Sequence, residues 1–115
     1  MIGVINFSGG RGAKADRVCD PPALIDAFAR FGRTCRVPTL WIYSDNDTYF
    51  PVPLVRQLYH AFVNAGGQAQ LVIVRPFLTE GHFFFSDVRG LDLWTETVKS
   101  FLGGLGIDSH KTKPY

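Results

Sequence analysis

The chain has 115 residues, 46% of them hydrophobic and 19% charged, with a net charge of +2. That is the length of one globular domain, too apolar for a disordered chain, and the small scattered charge argues against nucleic acid or an anionic membrane as partner. The opening apolar run is far too short for a signal or transmembrane segment, so the expected compartment is the cytoplasm.

In chain order, the first run, from Ile2 to Phe7, is apolar throughout, as a buried parallel strand is. A glycine-rich basic loop over residues 8–20 follows. Its GGRGAK lacks the spacing and the Lys-Ser/Thr pair of a phosphate-cradling loop, and its length suits the rim of a site. Asp20-Pro21-Pro22 predicts a helix start, with Leu24, Phe28 and Phe31 at helical spacing and Gly32 as the stop.

The second strand is predicted over residues 39–43, TLWIY, opened by Pro38 and halted by Ser44-Asp45-Asn46-Asp47. Two readings of that cluster stand side by side. A carboxylate just past the carboxyl end of a buried parallel strand lies where open α/β sheets hold ligands. The same residues also suit a turn in which Asp45 and Asp47 cap the next helix. Pro51-Val52-Pro53 opens a second helix with Leu54, Leu58 and Phe62 on one face, widened by Val55, Tyr59 and Val63, and Gly66-Gly67 end it.

A third strand over residues 69–74 leads into Thr79-Glu80-Gly81-His82 and three phenylalanines, Phe83, Phe84 and Phe85, which could line a pocket or plug the core. The last helix, over residues 91–102, sets Leu91, Trp94, Val98 and Phe101 along one stripe. Residues 1–107 make one domain and 108–115 a frayed polar tail. Cys19 and Cys35 have no metal-ligand spacing, and His60 and His110 have no partner motif, so no metal or cofactor is expected and the thiols read as reduced.

Three parallel strands with helical crossovers form an α/β layer. Side by side in chain order, right-handed crossovers put both connecting helices on one face and leave the last helix to cover the other. Asp47 and His82 then reach the same edge of the sheet. An Asp that orients a His through one ring nitrogen makes two members of a nucleophilic triad, and the acid precedes the His as in α/β-hydrolases.

The stretches VINFSGGRG, PTLWIYSDNDTYFP and FLTEGH, in that order, resemble the C-terminal portion of an α/β-hydrolase, most closely the dienelactone hydrolase family, over about residues 3–106. The resemblance implies Asp47 as the triad acid and His82, after Gly81, as the base. Asp45 is then a turn residue, and Ser44 stands where many relatives carry Gly. It also implies a small-molecule ester or lactone as substrate. The family's nucleophile sits in a Gly-x-Ser-x-Gly elbow, and no such pentapeptide occurs here. Asn6-Phe7-Ser8-Gly9-Gly10 comes nearest but lacks the first Gly and a following helix, so Ser8 is not the expected nucleophile. The oxyanion donors are missing as well.

The expectation is therefore the acid–His half of a serine hydrolase, inactive alone. Trp41 and Tyr43 would be strand core, and Tyr49 and Phe50 would border the acyl pocket. The alternative is a non-catalytic fragment or interaction module that keeps the last layer of the fold. In the family the strand from Ile2 to Phe7 is internal. Here its outer edge carries no charge or proline, which predicts self-association or a complementary chain at that edge.

Overall fold

The computed structural model describes residues 2–10, 13–14 and 17–107; the tail expected over 108–115 lies outside them. Strand β1 (Val4–Phe7) is followed by a two-stranded antiparallel ladder, β2 (Ala13–Lys14) and β3 (Arg17–Val18), inside what the sequence suggests is a plain loop. Then come helix α1 (Pro21–Thr34), strand β4 (Pro38–Ser44), helix α2 (Val52–Asn64), strand β5 (Gln68–Val74) and helix α3 (Leu91–Gly104). The main sheet is parallel and three-stranded, in the order β1-β4-β5, with Asn6 opposite Trp41 and Trp41 opposite Leu71.

β4 is the middle strand, and its side chains alternate between two cores. Trp41 and Tyr43 pack with Leu24 and Phe28 of α1 and with Val55, Leu58 and Phe62 of α2. Leu40 and Ile42 pack on the other face with Phe84, Trp94, Val98 and Phe101. Both crossover helices therefore share one face and α3 covers the other, as right-handed connections require. Trp41 anchors the first core, with Phe28 and Phe62 edge-on at 5.2 Å each. Its buried indole N–H donates to Thr39 Oγ1 at 3.0 Å, and that hydroxyl donates to the Gln68 carbonyl at 2.7 Å, so the polar groups taken into this core are satisfied.

Three helix details differ from the sequence expectation. Asp20 caps α1 as expected, its carboxylate accepting from Ala23 N–H at 3.1 Å, but Gly32 does not end the helix. It lies inside α1 where a Cβ would collide with the Phe62 carbonyl oxygen, so its role is to let α1 and α2 cross closely. Phe31, expected on the buried stripe, is 45% exposed, because Leu24 and Phe28 already fill the contact with the sheet. Leu91 is 43% exposed, and Leu93 joins Trp94, Val98 and Phe101 against the sheet in its place.

On the side of β1 away from β4 no described strand pairs with it, and Ile2 and Val4 are exposed there. An apolar groove of about 340 Å³ opens beside β1, lined by Val4 and Asn6 and by Phe28, Phe31, Trp41 and Phe62.

The crossing at Gly32 sets up a test. Gly32→Ala should lower stability by about 1–3 kcal/mol in urea unfolding, because the Phe62 backbone cannot yield without shifting α2. Gly103→Ala, where a Cβ meets nothing, should leave stability unchanged or raise it by about 0.5 kcal/mol.

Candidate active site

Two loops leave the carboxyl ends of β4 and β5 and are stitched together. After β4 the chain turns at once: Asp45 N–H donates to the Val74 carbonyl at 2.9 Å and Asp47 N–H to the Ser44 carbonyl at 3.1 Å. The turn leaves Asp45 exposed and Asp47 buried, 3% exposed. Asp47 divides its carboxylate. Oδ1 accepts from the backbone N–H groups of Tyr49 and Phe50 at 2.8 and 2.9 Å, and Oδ2 lies 3.1 Å from His82 Nδ1. Oδ1 thus serves the turn, capping the lead-in to α2 and not the helix itself, while Oδ2 is the oxygen that meets the imidazole.

The structure brings Asp47 and His82 together through contacts that the sequence reading did not single out. Asn46 is the first. Its Oδ1 accepts from Ser44 Oγ at 2.6 Å and from Phe77 N–H at 2.9 Å, while its Nδ2 donates to the Phe77 and Leu78 carbonyls at 3.2 and 3.1 Å. Leu78 has φ of 52°, an unfavourable left-handed conformation that this clasp holds in place. The Asn46 carbonyl accepts from Gly81 N–H at 3.2 Å. A Cβ on Gly81 would collide with Ser44 Oγ and Asn46 Oδ1, so the glycine before His82 is what allows the loops to approach.

Glu80 is the second. Its Oε2 accepts from Thr48 N–H at 3.1 Å and from His82 N–H at 3.0 Å, and its Oε1 accepts from the Thr48 hydroxyl. Desolvation pushes the Glu80 carboxyl up. The Thr48 hydroxyl and amide and the His82 amide and ring outweigh it and hold the group below its ordinary range. The only sequence signal for either clasp was position, a polar residue on each side of Asp47 and an acid two residues before His82.

Past Gly81 the chain forms a short 3-10 turn, Gly81–Ser86, which presents His82. The imidazole stacks on Tyr49, with ring centres 4.3 Å apart and planes 22° apart, and meets the edge of Phe83 at 4.9 Å. An ionised carboxylate can only accept, so the hydrogen-bond pattern assigns the neutral ring's proton to Nδ1. Nε2 has no hydrogen-bond partner among the described residues, which leaves it free to take a proton from a hydroxyl or thiol brought against it.

The aromatic residues divide. Tyr49 stacks on the imidazole, and Phe50, packed against Tyr43 and beneath Gly10, is core with its ring centre 5.8 Å from that of His82. Phe84 plugs the core, whereas Phe83 and Phe85 are exposed, with Phe85 stacked on Phe7 at 5.8 Å.

At the end of β1, Ser8 is buried with φ of 53°, its N–H donating to the Ile42 carbonyl at 3.0 Å. Among the described residues its Oγ has no hydrogen-bond partner, His82 included, and the next helix begins only at Pro21. This is not the strand–turn–helix of an elbow. Beside it, Gly9 N–H donates to Asn6 Oδ1 at 2.7 Å, Tyr43 Oη donates to the Gly9 carbonyl, and Asn6 Nδ2 donates to Tyr43 Oη at 3.1 Å. Burial pushes the Tyr43 phenol far up, the Asp47 carboxylate adding to this against the Asn6 hydrogen bond, so the phenol remains a neutral donor.

Cys19 and Cys35 are unpaired, and His110 lies outside the described residues. Among the described residues no three His, Cys, Asp or Glu side chains converge as a metal site, and no helix is long and apolar enough to cross a membrane. Comparison with protein-family models, with curated proteins and with solved structures returned no match.

The Asn46 clasp predicts a measurable cost. Asn46→Ala strands the Phe77 N–H and the carbonyls it served. It should lower stability by about 1–3 kcal/mol in urea unfolding, with faster amide exchange concentrated at Phe77 and Gly81.

Proposed function

We propose that the chain is the acid–histidine half of a serine-hydrolase site of the dienelactone hydrolase kind, acting on a small-molecule ester or lactone. The nucleophile comes from polypeptide outside these 115 residues. The contact between Asp47 Oδ2 and His82 Nδ1, on a carboxylate whose other oxygen is already tied to backbone, carries this reading. His82 Nε2 takes the proton of the incoming hydroxyl as it attacks the carbonyl, then returns it to the leaving alcohol. Asp47 holds the tautomer and stabilises the imidazolium that forms between the two steps. The reaction uses no cofactor. A cytoplasmic setting suits it, since the unpaired Cys19 and Cys35 stay reduced there.

Alone, the chain should not hydrolyse p-nitrophenyl esters faster than its His82→Ala variant, because it has neither an elbow nor preorganised oxyanion donors. Joined to or mixed with a polypeptide carrying a Gly-x-Ser-x-Gly strand–turn–helix, it should gain turnover. Asp47→Asn should then cut that turnover by roughly 10⁴-fold. Activity of the isolated chain that disappears in Ser8→Ala would overturn the proposal and make Ser8 the nucleophile.

A second reading, an interaction module, is favoured by the unpaired side of β1 and the groove beside it. The two readings are compatible, since a completing chain needs a place to dock. The chain should associate with itself, or with a complementary chain, through β1, with slowed hydrogen exchange at the outward amides from Val4 to Phe7. Val4→Lys should shift sedimentation towards monomer. A wild-type chain that stays monomeric at high micromolar concentration counts against this surface.

A further inference from the structure

We propose that Glu80 is the positioning residue of the Asp47–His82 pair, its carboxylate joining the acid loop to the histidine loop through the residue after Asp47 and through His82 itself. The inference rests on the reading of Asp47 and His82 as the working pair. It concerns what holds them, not what they act on.

The geometry is specific. Glu80 reaches Thr48 with both oxygens, Oε2 accepting from the backbone N–H at 3.1 Å and Oε1 from the hydroxyl. Oε2 also accepts from His82 N–H at 3.0 Å. Thr48 is covalently next to Asp47, so fixing its amide and hydroxyl fixes the backbone from which the Asp47 side chain projects. Fixing the His82 amide orients the start of the 3-10 turn from which the imidazole projects. One ionised group therefore sets both ends of the 3.1 Å contact between Oδ2 and Nδ1. The clasp is not redundant with Asn46, which ties residues 77, 78 and 81 and touches neither Thr48 nor His82.

A carboxylate suits this place better than a carboxamide. It offers two oxygens and no donor of its own, matching the three donors that face it. A glutamine at the same position keeps one acceptor oxygen for the two backbone N–H groups, but its N–H would have to donate to the Thr48 hydroxyl, reversing that bond, and the charge is lost. Hydrogen bonds to an ionised acceptor are the stronger kind, and the group is held ionised despite its desolvation.

The test uses the whole chain and no substrate. Nitrogen-15 spectra of the His82 ring report which nitrogen carries the proton, and exchange of the Nδ1 proton with solvent reports how often the Asp47 contact opens. In Glu80→Gln, exchange of that proton should accelerate by roughly tenfold and the preference for the Nδ1–H tautomer should weaken. Thr48→Ser keeps the hydroxyl and should retain the starting signature, while Thr48→Val should move part of the way to Glu80→Gln. Should Glu80→Gln fail to fold, the Thr48 pair decides by the same two readouts. An unchanged tautomer and exchange rate in Glu80→Gln, or in Thr48→Val where that variant decides, overturns the positioning role. Neither readout depends on ester turnover, so a failed hydrolase assay leaves this result standing and the reverse also holds.

Discussion

The burial of β4 on both faces is the constraint on which the rest of the molecule depends. Leu40 and Ile42 face α3 while Trp41 and Tyr43 face α1 and α2, all of them almost wholly removed from water. A strand so placed must be flanked by parallel neighbours and covered by helices on both sides, which the two crossovers and α3 provide. It must also end abruptly, because polar residues cannot continue inside two cores. The turn that begins at Ser44 follows from that limit. Placing Asp47 at the sheet edge is thus a consequence of the core, before any chemistry is considered.

What happens beyond the strand ends is governed by different forces. The sheet brings the two loops near each other, but apolar burial is non-directional and does not by itself set the orientation of a side chain. Hydrogen bonds between the loops do, and they are local. Asn46, Gly81, Glu80 and Thr48 supply them without help from β1 or α3. The geometry of the acid–imidazole pair therefore rests on the two loops themselves. The stacking of His82 on Tyr49 adds shielding from water on one ring face, which strengthens the electrostatic coupling to Asp47.

The three strands of the main sheet and their order were legible because they rest on apolar runs and handedness, both of which leave a trace in one dimension; the short β2–β3 ladder, with no such run, was not. The meeting of Asp47 and His82 was legible for the same reason, since each follows a strand end. The clasps were not. Asn46 reaches the backbone of Phe77 and Leu78 and Glu80 reaches Thr48, each across about thirty residues, and such contacts have no period and no characteristic residue type. Gly32 was misread because a glycine near the end of a helical run is ordinarily a stop. Only the position of Phe62 on the next helix reveals it as a crossing point. Phe31 and Leu91 illustrate a further limit. Helical spacing identifies an apolar stripe, but which residues at its margins touch the sheet depends on how the helix is rotated, and Leu93 displaced Leu91 on that account.

The arrangement of strand ends also bears on where a nucleophile could enter. β1 delivers Ser8 and Gly9 to the same edge, but the hydrogen bonds among Asn6, Tyr43 and Gly9 commit that backbone, and among the described residues the next helix starts only at Pro21. His82 meets Asp47 and Tyr49, both on the loop that follows β4. A parallel strand added to the free side of β1 would bring its carboxyl end to the active edge, two strand spacings or about 10 Å from β4. On the proposed reading, with His82 held against Asp47 and Tyr49, the side of β1 away from β4 is the direction from which a hydroxyl on a completing polypeptide would arrive.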